Sequence, residues 1–192
     1  MRTQNTKTMF RAAVLTALVL ILQLLGSFIR LGPFSISLVL VPIVIGAASC
    51  GVGYGAWLGF VFGLAVLISG DAAAFLAVNP VGTVVTVLLK GTLCGLLAGI
   101  AYKFASGKNT YLGVGVAAVV CPVVNTGIFL IGCLAFFMPT ITMWATEMGL
   151  GDNVGKYMIF VLVGGNFLAE LFINVVLSPT IVRLLSVSRL SK

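Results

Sequence analysis

Residues 31–70 read LGPFSISLVLVPIVIGAASCGVGYGAWLGFVFGLAVLISG, forty residues without one charged side chain. A helix needs roughly 20 mostly apolar residues to cross a bilayer. This stretch is too long for one crossing and long enough for two. It breaks at Ser49-Cys50-Gly51-Val52-Gly53-Tyr54-Gly55, and it reads as two spans, 34–49 and 55–70, joined by a short turn. The second span is short, and a re-entrant segment there, leaving five crossings, is the alternative topology.

The pattern extends outward. Residues 12–29 and 109–146 also lack charge, and the whole chain of 192 residues is 60% hydrophobic and 8% charged. Its mean hydropathy is +1.23. A soluble domain carries about 25% charged residues, so this chain has too little charge to cover a water-facing surface. The expected fold class is an all-α membrane protein, a single membrane domain over 1–192 with six transmembrane helices. The spans fall at about 10–29, 34–49, 55–70, 80–103, 112–138 and 158–183. No segment shows the alternation of a lipid-facing barrel strand. The first span is too long for the apolar region of a secretory signal, and no small-residue cleavage site follows it.

Charge placement orients the bundle. Arg2, Lys7, Arg11, Lys103, Lys108, Arg183, Arg189 and Lys192 fall on one side of the six-span arrangement, against Arg30 and Lys156 on the other. Lys and Arg gather in cytoplasmic segments, so eight against two places both termini in the cytoplasm of a multi-pass protein of the cell membrane. The net charge of +7 then reflects topology and calls for no nucleic acid.

Enzyme chemistry has little to work with. The only acids are Asp71, Glu147, Asp152 and Glu170, there is no histidine, and no GxxxxGK[ST] loop is present. Cys50, Cys94, Cys121 and Cys133 show no paired metal-ligand spacing, so no metal site is expected and free thiols are the ordinary reading.

Small residues mark helix contacts. Gly51, Gly55, Gly59 and Gly63 repeat every fourth residue, as do Gly91, Gly95 and Gly99. Such faces let backbones approach closely. Packing within the chain is the ordinary reading, and a docking face for another membrane protein is the functional one. Ala13 and Ala17 make a smaller pair of the same spacing.

Polar groups at membrane depth mark a site. Lys90 lies near the middle of the fourth span and Glu170 near the middle of the sixth, where each costs roughly 2.5–3.5 kcal/mol on insertion scales. Such groups face the bundle interior and pair with each other or with a ligand. Asn125 follows Pro122 in the fifth span. Asn166, Glu170 and Asn174 share one face of the sixth. Arg30 and Asn79 sit in outer loops able to close a cavity over them, with Trp144 in a loop at 139–157. Interhelical hydrogen bonding is the plainer explanation of the amides.

This pattern resembles the substrate-binding S components of energy-coupling factor (ECF) vitamin transporters, over nearly the whole chain. The resemblance rests on size, six spans, a basic start, and Ala13-Val14-Leu15-Thr16-Ala17, which matches the family's AxxxA motif. Gly32-Pro33-Phe34-Ser35-Ile36-Ser37-Leu38, Asn79-Pro80-Val81-Gly82-Thr83 and Lys90-Gly91 resemble the folate and pantothenate branch. The resemblance implies a high-affinity vitamin receptor in the membrane that joins a scaffold (T) subunit and two ATPase subunits. ATP is then used by partners, and this chain carries no cofactor. It implies that Ala13 and Ala17 face the scaffold and that the vitamin sits between the outer halves of the fourth to sixth helices. Lys90 suits an anion, and the candidate aromatics (Trp57, Trp144, Phe136, Phe137) form no evident group for stacking a folate or flavin. Pantothenate therefore leads, ahead of folate, a flavin or a pyridoxine-type vitamin. The competing functions are a stand-alone small-solute transporter or channel, for which no internal repeat is evident, and a non-transporting assembly protein.

Overall fold

The computed structural model describes residues 2–27, 30–31, 34–35, 38–107, 109–150 and 153–190. Helix dominates, as a chain without water to satisfy its backbone requires. Helix α1 (Arg2–Gly26) leads to a pair of two-residue strands, β1 (Arg30–Leu31) and β2 (Phe34–Ser35), antiparallel with Arg30 opposite Ser35. Then come α2 (Leu40–Cys50), α3 (Val52–Ser69), α4 (Ala73–Val78), α5 (Pro80–Ala105), α6 (Thr110–Phe136) and α7 (Met138–Glu147). A short α8 (Val154–Lys156) runs into a π-helix (Tyr157–Gly164) and on into α9 (Gly165–Leu190).

Among the described residues, five helical stretches are long and apolar enough to cross a membrane: Thr6–Gly26, Val52–Ser69, Pro80–Ala105, Thr110–Phe136 and Val154–Ser186. Their outer surfaces are apolar, with Ile68, Phe104, Phe160 and Phe172 all well exposed. The expected span at 34–49 is shorter than read. Helix α2 has 11 residues, about 16 Å at 1.5 Å per residue, roughly half of a 30 Å hydrocarbon core. Its approach is partly extended, because apolar composition alone does not say where a helix begins. The loop read at 139–157 also contains a helix, α7, with Pro139 in its first turn, a position where the missing N–H costs nothing.

Directions follow from contacts. Gly51 (φ +111°) turns the chain sharply between α2 and α3, and Ala47 then lies against Gly55. Helices α3 and α5 run antiparallel along a glycine seam. A Cβ on Gly59 or Gly91 would overlap the other's carbonyl oxygen, and one on Gly55 would lie 2.6 Å from the carbonyl oxygen of Gly95. Seven glycines had two readings, and those of the seam serve packing inside the chain: Gly55, Gly59, Gly63, Gly91, Gly95 and Gly99 all meet backbone of the facing helices. They are not an outward docking face. Helices α5 and α6 form the next antiparallel pair, with Gly132 against Thr86 and Gly113 against Ser106. The core gathers Val39, Leu40, Ile43, Val44, Leu58 and Phe62 around α2 and α3 with Ile181 from α9.

Candidate functional site

One end of the bundle encloses a cavity. Its walls come from five spans that converge there: Gln23 from α1, Phe62 and Val66 from α3, Thr83 to Lys90 from α5, Asn125 to Phe129 from α6, and Leu162 to Glu170 from the last span. Asp71, Ala72 and Phe75 roof it from the α3–α4 connection and α4. It leaves about 90 Å³ for the centres of water-sized molecules. One water needs about 10–15 Å³ by that measure, so the space suits a solute of many atoms.

Its chemistry is mixed. Lys90 reaches into the cavity with its ammonium 5.6 Å from the centre of the Phe62 ring and 5.5 Å from that of Phe129, inside the ~6 Å range of cation–π attraction. Glu170 lines the same cavity and attracts the Lys90 charge. Among the described residues, three side-chain oxygens of the lining are buried without a hydrogen-bond partner: Thr86 Oγ1, Asn125 Oδ1 and Asn166 Oδ1. A buried unsatisfied polar atom costs about 1–3 kcal/mol. Three around one void mark a place built for a polar guest.

Of the residues expected from sequence, Lys90, Asn125, Asn166 and Glu170 converge on this cavity. Asn174 continues the stripe but not the lining, and its side-chain amide donates to the carbonyl of Glu170 at 2.9 Å. Asn79 stands elsewhere. Its Oδ1 accepts from the Gly82 N–H at 2.9 Å and caps α5 ahead of Pro80, the ordinary work of an Asn at a helix start. The backbone of Arg30 belongs to β1, while its side chain lies outside the described residues. Ala13 and Ala17 are exposed and line a separate apolar groove with Met9, Leu20, Gly53 and Trp57. The indole N–H of Trp57 donates to Thr16 Oγ1 at 3.3 Å across that groove.

Sequence reasoning missed two parts of the cavity. Gln23, Asp71, Thr83 and Thr86 line it although none was among the expected site residues, and of the four only Thr83 lies in a segment that resembles the family. The aromatics are also grouped, against expectation. Phe75 meets Phe129, Phe137 and Trp144 edge to face, with centroids 5.6, 4.9 and 5.6 Å apart. Phe75 and Phe129, absent from the expected set, complete the group, while Trp57 sits in the outer groove and Phe136 is partly exposed. These rings brace one another at the mouth, so they give the cavity an apolar wall more than a flat stacking platform. The three buried thiols, Cys94, Cys121 and Cys133, are free, as is Cys50.

No solved structure matches the chain. It is similar to the "Pantothenic acid transporter PanT" of Lactococcus lactis subsp. cremoris (strain MG1363), 29% identical over 194 residues, covering 92% of each chain. The family model "ECF transporter, substrate-specific component" matches residues 7–182. That match spans most of the apolar bundle and every wall of the cavity, and the chain belongs to the substrate-specific components of ECF transporters, multi-pass transport subunits of the plasma membrane and not enzymes.

Proposed function

We propose that the chain is the high-affinity binding subunit for pantothenate in an ECF-type importer. The observation that carries this reading is the convergence of Lys90 with three unpartnered oxygens, on Thr86, Asn125 and Asn166, around one void. Pantothenate has a carboxylate at one end, an amide in the middle, and hydroxyls beside a dimethyl carbon at the other. Lys90 suits the carboxylate, Asn125 and Asn166 suit the amide, and the Phe75 group suits the methyls. The name of the similar lactococcal protein supports the same vitamin over folate, a flavin or a pyridoxine-type ligand.

The topology belongs to the same reading. Six crossings, with α2 as the short second one, put both termini in the cytoplasm and the cavity on the outer side. The alternation of helix directions and the eight-to-two bias of Lys and Arg support it. Energy then comes from ATP used by two ATPase subunits, joined through a membrane scaffold subunit that docks on the groove of Ala13 and Ala17. Ala13→Trp and Ala17→Trp fill that groove, and because close approach there needs small side chains, uptake into cells falls to background. Pantothenate affinity of the purified variants stays within about twofold of wild type, since neither alanine lines the cavity. Lost affinity in a folded variant contradicts the docking role.

The binding reading is tested by melting the detergent-purified protein against a panel of water-soluble vitamins. A ligand at 100 times its dissociation constant stabilises by about 2.7 kcal/mol. Pantothenate is expected to raise the midpoint and the others to leave it in place. A shift with another vitamin names that vitamin instead.

A further inference from the structure

The cavity is closed differently at its two ends. Away from the roof, the lining stops at one level on four spans. Among the described residues its deepest members are Phe62 on α3, Lys90 on α5, Asn125 on α6 and Glu170 on the last span. Four residues further along each helix, on the same face and about 6 Å deeper, stand Leu58, Cys94, Cys121 and Asn174. All four are 0% exposed. Leu58, Cys94 and Cys121 belong to the same apolar core as Phe62. The Cys94 thiol donates to the Gly91 carbonyl at 3.0 Å and the Asn174 amide to the Glu170 carbonyl at 2.9 Å, so both side chains fold back on their own helices. At this level the α3 and α5 backbones also meet, at Gly59 and Gly91. Long helices in close contact make the floor.

Short elements make the other end. Phe75 of the six-residue α4 meets Trp144 of the ten-residue α7 edge to face at 5.6 Å. Gln23, 2% exposed, ties α1 to the α3–α4 turn there: its amide nitrogen donates to Asp71 Oδ2 at 2.6 Å and reaches Ser69 Oγ at 3.4 Å. Side-chain bonds between short segments open more readily than a seam of packed backbone. The guest therefore enters past the roof, and the floor stays fixed.

We infer that the site is a blind well that takes its ligand acid end first and measures the reach from amide to carboxylate. The inference rests on the pantothenate reading and deepens it. With the carboxylate at Lys90 and the amide at Asn125 and Asn166, the floor sets that reach at the two methylenes of the vitamin. A third methylene, or a chain continued past the carboxyl group as an amide, drives atoms toward Cys94 and Asn174. A group added at the hydroxyl end meets the roof instead.

The experiment is calorimetric titration of the full chain in detergent with pantothenate and with homologues carrying one and two extra methylenes between amide and carboxylate. Charge is the same in all three. One methylene in a fitted pocket is worth about 10- to 200-fold, so wild type is expected to bind the first homologue at least about tenfold more weakly, and the second more weakly still. Cys94→Ala combined with Asn174→Ala lowers the floor and is expected to cut the first penalty at least about threefold. The penalty of a methyl ether at the terminal hydroxyl is expected to stay as in wild type, since that end lies away from the floor. Thermal melts establish folding. Asn174→Ala alone makes the same comparison where the double variant does not fold, because it deletes an oxygen that has no partner. Equal affinity of wild type for pantothenate and its homologues overturns the inference, as does a folded floor variant that relieves the ether and not the homologue. Those results leave the pantothenate reading in place. Folded wild type that binds none of the three removes that reading and the inference with it.

Discussion

Lys90→Ala is expected to abolish measurable pantothenate binding while the protein still folds. Lys90 is the cation of the described cavity lining, and its ammonium is positioned by two rings and by the Glu170 charge. Removing one partner of a buried charge pair costs roughly 2–5 kcal/mol, about 30-fold to more than 1,000-fold in affinity. The loss falls on binding because the ligand carboxylate then meets Glu170 with no cation between them. Lys90→Arg keeps the charge, but its flat guanidinium replaces a compact ammonium, and an intermediate affinity is expected. Calorimetric titration of each variant separates the cases. An unchanged dissociation constant with a lowered melting point makes Lys90 a structural partner of Glu170, with no ligand contact.

Gly59→Leu is the second large effect, and it falls on stability. At this point of the seam the α3 and α5 backbones touch, since a single Cβ on Gly59 would overlap the Gly91 carbonyl oxygen. Overpacking an ordinary core costs about 1–3 kcal/mol because side chains give way. Here the obstacle is backbone, with Gly55–Gly95 next along the seam and Gly63 against Val87. The helices must separate, and a loss above about 3 kcal/mol is expected. Binding falls with it, because Phe62 and Val66 on α3 face Lys90 on α5 across the cavity. Gly115→Leu is the control, as a Cβ there meets nothing within 4 Å. Thermal unfolding in detergent compares the two, and a wild-type midpoint for Gly59→Leu contradicts the seam.

The seam was legible in the sequence because glycines at i, i+4 and i+8 state their own face. Four polar groups of the cavity were legible for a similar reason: Lys90, Glu170, Asn125 and Asn166 are expensive in lipid, so each must face inward. Gln23 was not. It is a neutral side chain in the first span, and only the position of the α3–α4 turn shows what it bonds. The aromatic group was hidden by number, since any of thirteen phenylalanines is as comfortable in lipid as in a pocket. Hydropathy cannot choose among them. Asn79 carried a signal that points away from the ligand, because Asn-Pro at the head of a long apolar run is a helix start. The beginning of α2 and the existence of α7 were missed because apolar runs and mixed loops do not carry their own boundaries.

The wide turn of Tyr157–Gly164 bears on how relatives of this chain are to be aligned. A π-helix closes each hydrogen bond over one more residue than an α-helix, so it stores surplus chain without lengthening the rod in proportion. Each residue of an α-helix advances about 100° around the axis, and that surplus fixes the phase at which Asn166 and Glu170 emerge. Gly164 permits the winding, since a Cβ there would stand 2.6 Å from the carbonyl oxygen of Ile159. A homologue wound as plain α-helix could omit one codon in this stretch and still aim its polar pair at the same void. A single-residue gap between Lys156 and Gly165 in such a comparison is then a change of pitch, with the same side chains in correspondence beyond it.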